Sequence, residues 1–540
     1  VLSHRLVFPA ALVAAAAVLA PGAAHAAPAA PTAVTGASDP QSYTAPPYWT
    51  VRTPLGDGPI GNDGLQIDLH AGMFTAHGIR LEASALDVRG PSSVTVEWGD
   101  GAKDTAQITE AADIKRLDHA HSYAEVGTYT VTYTVTDAAH NVRAVNKVIV
   151  TTAGAEFTAH APTRLLDTRD GTGSAKAKIA GRGSARVKVA GNARIPAGAT
   201  AVALNVTVTN TVEAGHVTAF AGKGARRPDT SNLNYAPGQT VPNLVIVPVG
   251  DDGHVELFNG GWAPVDLIAD VTGYFTRSAA AGYTPLAPAR LVDTREGLGT
   301  AKGQVPGQGS FAVEAAGAGK VPKGATAVAL NVTATNPAEA GHLTVFPSGQ
   351  SAPSTSSVNF TAGQTVANAV VVPVGADGRI SVRNGSWKGA DVVVDVVGYY
   401  SPDSRAAYRP FHPFRLADTR EGSWHRPRGP VPARDYFPLP FTSDSPTPPA
   451  GWVLNTTVTN TSEPGHLSVA PDPNTWTDYQ KGIATKPERP VSSSLNWGAG
   501  MTVPNLVQTP AGTGAVIDFW NQGWQPVDVV VDCLGIYETD

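Results

Sequence analysis

One hexapeptide pattern occurs three times in this chain: Arg164-Leu165-Leu166-Asp167-Thr168-Arg169, Arg290-Leu291-Val292-Asp293-Thr294-Arg295 and Arg415-Leu416-Ala417-Asp418-Thr419-Arg420. The copies recur about every 125 residues, and further landmarks follow each in the same order. Leu204-Asn205-Val206-Thr207 returns as Leu330-Asn331-Val332-Thr333 and, with one change, as Leu454-Asn455-Thr456-Thr457. Gly215-His216 returns as Gly341-His342 and Gly465-His466, and Asn243 as Asn368 and Asn505. Each copy closes on two aspartates four apart: Asp266 and Asp270, Asp391 and Asp395, Asp528 and Asp532. Such a chain writes one structural unit three times. Units of about 120 residues are long enough for a core of their own and too long for solenoid rungs. The repeats span 156–277, 282–402 and 407–540. Repeat three departs through an insertion near Pro473 to Arg489 and a proline-rich stretch around Pro446 to Pro449.

Within a repeat, Ala201 to Thr209, Thr240 to Val249 and Val265 to Phe275 read as strands, and no stretch shows helical periodicity. With 56 glycines and 44 prolines, turns and short strands are favoured. The expected fold class is all-β, a tandem of β-sandwiches with jelly-roll-like repeats; a small closed barrel is the second choice. Upstream, residues 66–153 show alternating strands at Val94–Trp98, Tyr129–Val135 and Val145–Val150, enough for one further sandwich. Residues 27–65, rich in Ala, Pro, Thr and Gly, read as an extended linker.

Residues 66–153 resemble a PKD domain through Trp98-Gly99-Asp100-Gly101, His121-Ser122-Tyr123, Gly127-Thr128-Tyr129-Thr130-Val131 and Asp137. The resemblance implies an immunoglobulin-like sandwich acting as a spacer or weak adhesive module. In that reading Trp98 and Tyr129 are core anchors and Asp100-Gly101 a turn. The repeats are similar to the Leu-Asp-Thr-Arg repeats found in tandem in actinobacterial secreted proteins, which implies export and an extracellular or cell-surface role.

The first 26 residues agree with that implication. A short basic start, the apolar run Leu6 to Ala20 and small residues at Ala24 and Ala26 form the layout of a secretory signal peptide cut before Ala27. No membrane span is expected after cleavage. A net charge of −6 without basic runs gives no reason to expect nucleic acid. Cys533 is the only cysteine, so neither an internal disulfide nor a thiolate metal site can form. It stands where the other repeats have Val271 and Val396, as a small core hydrophobe.

Three sets of polar landmarks are candidates for function. Arg164, Asp167 and Arg169, with Arg290, Asp293, Arg295, Arg415, Asp418 and Arg420, read as a structural network in which the arginines meet the paired aspartates of the closing strand; ligand contact is the alternative. His216, His342 and His466 read as turn-capping residues, since no metal partner stands at ligand spacing. Asn259 with Trp262, Asn384 with Trp387 and Asn521 with Trp524 are the candidate ligand-binding pairs. An exposed indole stacks on a sugar face while an amide bonds hydroxyls.

Motifs for a nucleophile elbow, a zinc protease, a phosphate loop or a dinucleotide fold are missing from the sequence, and no cofactor is expected. Repetition also suits avidity better than catalysis, which needs one centre. The expectation is a secreted binding protein, not an enzyme, with a polysaccharide such as cell-wall glycan as partner. The alternatives are a structural stalk binding another surface protein, and a hydrolase built on a carboxylate pair.

Overall fold

The computed structural model describes residues 65–540 except 141, 423–427 and 442–447, together with two short strands further upstream. The expected signal peptide, most of the expected linker and part of the Pro446–Pro449 stretch lie outside the described residues.

The N-terminal sandwich is built from β1 (Thr50–Arg52), β2 (Pro59–Ile60), β3 (Gln66–Met73), β4 (Gly78–Val88), β5 (Ser92–Glu97), β6 (Lys103–Ile108), β7 (Ala112–Ser122), β8 (Thr128–Asp137) and β9 (Val142–Thr151). One sheet runs β1-β3-β4-β7 and the other β2-β9-β8-β5-β6. It therefore starts before residue 66, because β1 pairs with β3 inside the segment expected to be linker. Period-two alternation puts Ile67, Leu81, Val94, Val96 and Val135 into one core. Trp98 is fully buried there and donates to Asp104 at 3.0 Å. Tyr129 is no core anchor. It is half-buried and stacks outside Tyr123, ring centroids 3.8 Å apart, while Tyr123 and Tyr133 fill the interior.

Repeat one contributes β10 (Glu156–Asp167), β11 (Ser184–Lys188), β12 (Ala199–Thr209), β13 (Gly215–Ala221), β14 (Leu233–Tyr235), β15 (Val241–Pro248), β16 (His254–Asn259) and β17 (Asp266–Thr276). Its two antiparallel sheets run β10-β17-β12-β15 and β11-β16-β13-β14. Numbered within the repeat, those orders are 1-8-3-6 and 2-7-4-5, which is jelly-roll topology. Repeats two and three reproduce both sheets strand for strand. The insertion of repeat three adds one short helix, α1 (Trp476–Lys481), with Thr475 and Asp478 forming a capping box.

The repeats do not string out. The β10-β17-β12-β15 sheet is buried on both faces. Val202, Leu204, Val206 and Val208 enter the core of repeat one, while Ala201 and Ala203 on the opposite face join a core shared by all three repeats. Alanines at 201, 203, 327 and 329 let the sheets approach closely at that shared core. Six aromatic rings close a circuit within it. Phe157 meets Phe275 (5.1 Å), Phe275 meets Tyr408 (4.9 Å), Tyr408 meets Tyr537 (5.3 Å), Tyr537 meets Tyr283 (4.2 Å), Tyr283 meets Tyr400 (4.8 Å), and Tyr400 returns to Phe157 (4.0 Å). Each ring buried this deeply stabilises by about 2 kcal/mol. Gln508, standing where repeats one and two have Ile246 and Val371, donates to the hydroxyls of Tyr400 (3.1 Å) and Tyr537 (2.9 Å). Glycine is required beside the rings: a Cβ on Gly273 would lie 1.9 Å from Phe157, and one on Gly398 2.1 Å from Tyr283.

Asparagines close a second circuit where the edge strands β15, Val366–Pro373 and Val503–Pro510 converge. The Asn368 amide donates to Asn205 (2.9 Å), Asn505 to Asn331 (3.0 Å) and Asn243 to Asn455 (3.1 Å). Their carbonyl oxygens accept from the free edges of neighbouring repeats: Asn368 from Leu244 N (3.3 Å), Asn505 from Ala369 N (2.9 Å) and Asn243 from Leu506 N (3.2 Å). Unpaired edge N–H groups, otherwise a liability, are thereby satisfied by the next repeat. The result is a pseudo-threefold trimer on one chain.

The N-terminal sandwich also docks rather than hanging free as a spacer. Arg409 bonds Phe74 O (2.7 Å) and Glu538 (2.9 Å), and Glu538 accepts from Ala76 N (2.8 Å). His77 N donates to the carbonyl of Asp540 at 3.1 Å.

Candidate functional site

The loop between β16 and β17 carries Trp262, and equivalent loops carry Trp387 and Trp524. These side chains are 79%, 77% and 71% exposed, unusual for so large an apolar group. The asparagine before each tryptophan holds it out. The Asn259 amide donates to Ile179 O, Ala180 O and Ala263 O at 2.9–3.2 Å, and its carbonyl accepts from Gly261 N and the Tyr235 hydroxyl. Asn384 and Asn521 repeat the pattern on Val305, Pro306 and Lys388, and on Val431, Pro432 and Gln525. All three asparagines are fully buried. The expected ligand-binding pair is therefore corrected: Asn259, Asn384 and Asn521 spend their amides inside the loop, leaving Trp262, Trp387 and Trp524 as the accessible half.

A second side chain supports each indole. Arg182, Gln308 and Arg434 stand at equivalent positions with φ of 62°, 60° and 58°. Arg182 donates to Gly260 O (2.9 Å), Gln308 to Gly385 O (2.9 Å) and Arg434 to Gln522 O (2.7 Å). The guanidinium of Arg182 lies 5.3 Å from the Trp262 ring and that of Arg434 4.9 Å from Trp524. The next outward position on β16 and its counterparts holds Phe258, Arg383 or Trp520. Arg182 (5.1 Å) and Arg227 (4.0 Å) cover Phe258; Lys486 (5.9 Å), Arg489 (5.8 Å) and Tyr436 (4.4 Å) surround Trp520. Arg182, Gln308 and Arg434 were overlooked in the sequence because the Gly-x-Gly-Ser frame of repeats one and two is lost in repeat three and the residue itself changes between Arg and Gln. The detectable signal was a long polar residue at one fixed place in all three.

The Asp-Thr-Arg motif forms an ion-pair network in each repeat, and in repeat two Arg290 also reaches the Val491 carbonyl of repeat three (3.3 Å). Arg164 clamps Asp270 through Nε (2.9 Å) and reaches Asp167 (2.9 Å), while Arg169 forks onto Asp167 at 2.7 and 2.9 Å. Asp266 has no arginine: Thr168 (2.8 Å) and Asn210 (2.7 Å) hold it. Arg290, Asp293 and Arg295, and Arg415, Asp418 and Arg420, do the same with Asp395 and Asp532. The fork from Arg169 holds the Asp167 carboxyl below its ordinary range, whereas burial pushes Asp270 up despite Arg164. The network ties the entry strand to the closing strand.

Burial lowers the pKa of His216, His342 and His466, the last to about 4, with nearby arginines adding to the effect. Among the described residues no group of three or more His, Cys, Asp or Glu could hold a metal ion. Cys533 is fully buried, its thiol pushed up to about 12.

One pair of carboxyls adjoins in repeat three. Asp472 accepts from Asn474 N (2.6 Å) and the Tyr479 hydroxyl (2.5 Å), and its charge acts on the neighbouring Asp518. Each is 1% exposed. Burial and the Asp472 charge raise the Asp518 pKa to about 9. Because the folded value lies above the ordinary one, the stabilisation is complete below about pH 4 and declines as pH climbs towards 9. Urea midpoints of the native protein should therefore fall between pH 6 and 9. Asp518→Asn should fall less; an equal slope in both proteins would refute the raised Asp518 pKa.

Among the described residues no helix is long and apolar enough to cross a membrane. No family model and no curated protein matches this chain. Among solved structures, a chain titled "SusE-like protein BT2857" aligns with 10% identity over 38% of this chain and 96% of its own, TM-score 0.12. A second, titled "Life in the extremes: atomic structure of Sulfolobus Turreted Icosahedral Virus", aligns with 8% identity over 71% and 91%, TM-score 0.14. At such scores neither neighbour bears on what this chain does. What stands is an all-β chain whose three jelly rolls close into one body and present three equivalent tryptophan loops.

Proposed function

We propose that this is a secreted binding protein, not an enzyme, that holds extracellular polysaccharide through Trp262, Trp387 and Trp524. The observation that carries the reading is the threefold display of indoles more than two-thirds exposed on loops that a buried asparagine makes rigid. Burying such a ring on the apolar face of a sugar recovers about 2 kcal/mol. One such contact is weak. Three on one rigid body raise apparent affinity for a repeating polymer through effective concentration. The closed burial of the Asp472–Asp518 pair supports binding over hydrolysis, since a glycosidase needs its carboxyls flanking substrate.

The test is co-sedimentation with insoluble cell-wall and plant glycans. A single Trp→Ala change should weaken retention, and the triple change should abolish it with the circular dichroism unaltered. If the wild-type chain sediments with no glycan, the protein-binding stalk becomes the better reading.

A further inference from the structure

We infer that the tryptophan loops recognise an anionic glycan, a saccharide polymer bearing carboxylates or phosphodiesters, through cations that the fold leaves without an ion pair beside the indoles of repeats one and three. This rests on the reading of those loops as glycan contacts and adds the chemical class of the ligand.

The inference comes from a contrast between two groups of arginines. Arg164, Arg169 and Arg186, and the equivalents of the first two, all sit within 3.3 Å of a carboxylate. Among the described residues Arg182 and Arg227 have no ion-pair partner; their contacts are the Gly260 carbonyl and the rings of Phe258 and Trp262. In repeat three Arg434 and Arg489 likewise meet no carboxylate among the described residues. Arg434 bonds Gln522 O and lies over Trp524; Arg489 bonds the carbonyl of Arg434 and lies over Trp520. Arg182 over Trp262 and Arg434 over Trp524, with Arg227 and Arg489 on the neighbouring rings of Phe258 and Trp520, leave their charge open to an anion beside two of the three exposed indoles. The buried histidines behind these two loops lie in the same field: burial is the main cause that lowers His216 and His466, and Arg182 and Arg227 add to it at His216 and Arg434 at His466.

Repeat two differs in a useful way. Gln308 stands where Arg182 and Arg434 do, with its amide on the same loop carbonyls. Glutamine therefore holds this loop without a charge, which makes Arg→Gln a conservative probe of the charge alone. Repeats one and three are the stronger anion sites.

The experiment measures binding of the full chain to polygalacturonate, to its methyl ester and to poly(glycerol phosphate) by affinity electrophoresis. The expected result is binding to at least one of the two polyanions, weakened by added salt. The Arg182→Gln/Arg227→Gln/Arg434→Gln/Arg489→Gln variant should bind that polyanion about ten- to a hundredfold more weakly, the loss expected of charge-assisted hydrogen bonds. The polyanion retained identifies carboxylate or phosphodiester as the recognised group. Equal binding of the methyl ester, insensitive to salt and to the four substitutions but abolished by the triple Trp→Ala change, would overturn the anionic class and leave glycan binding standing. Binding to none of the three polymers, with retention on a neutral insoluble glycan, would also overturn it.

Discussion

Asn368→Ala is expected to destabilise the repeats by about 3–5 kcal/mol, far more than an ordinary polar substitution. Three buried groups lose partners at once: the Leu244 N–H, the Asn205 carbonyl oxygen and the Ser357 carbonyl. Bulk water has little access to replace them, since Asn205 and Asn368 are 5% and 1% exposed. Since Leu244 and Asn205 belong to repeat one, the damage falls on a repeat that does not carry the substitution. Equilibrium denaturation should show a lowered midpoint, and amide exchange should quicken at Leu244 as well as in repeat two. A loss below about 1 kcal/mol, or quickening confined to repeat two, would show that the asparagine circuit does not couple the repeats.

The second large effect concerns a repeat on its own. Residues 282–402, expressed alone, should fail to remain monomeric. In the whole protein Tyr283, Tyr400, Ala327, Ala329 and Val371 face the shared core, and a lone repeat exposes them all. It also strips the partners from the edge strand Val366–Pro373. A contiguous apolar patch beside an open edge is an association site. Because the interface is nearly threefold, three identical copies can rebuild it, and a closed trimer is the expected species. Light scattering coupled to size exclusion distinguishes the outcomes. A stable soluble monomer would mean that each jelly roll is sufficient and that the aromatic circuit is incidental.

The three copies fill the shared core with different rings. Repeat one supplies phenylalanine at both ring positions, and repeat three adds Gln508 against Tyr400 and Tyr537. These differences reflect a chain in which each copy has specialised for its own seat.

Much of the candidate site was readable in the strand pattern. Trp262, Trp387 and Trp524 stood out as loop residues before a closing strand, and exposure is what such a position allows. Their asparagines were misread because a short polar side chain in a turn can face solvent or clamp the backbone, and local sequence does not distinguish the two. The paired aspartates were placed on one face of the closing strand as period two requires, yet only Asp270 meets an arginine. The side chains of Thr168 and Asn210 reach Asp266 first.

What the sequence determined by itself was repetition and local geometry: three copies, alternating strands, turns at glycine and asparagine, and a buried position for Cys533. Those follow from side-chain periodicity and backbone preference, which act between neighbours in the chain. The tertiary structure alone decided that Asn205, Asn243 and their equivalents are joints between repeats, that Ala201 and Ala203 face a shared core, and that some arginines are left without partners. Each of these depends on groups more than a hundred residues apart meeting in space, and a polar or small residue on a strand carries no mark of which distant surface will cover it.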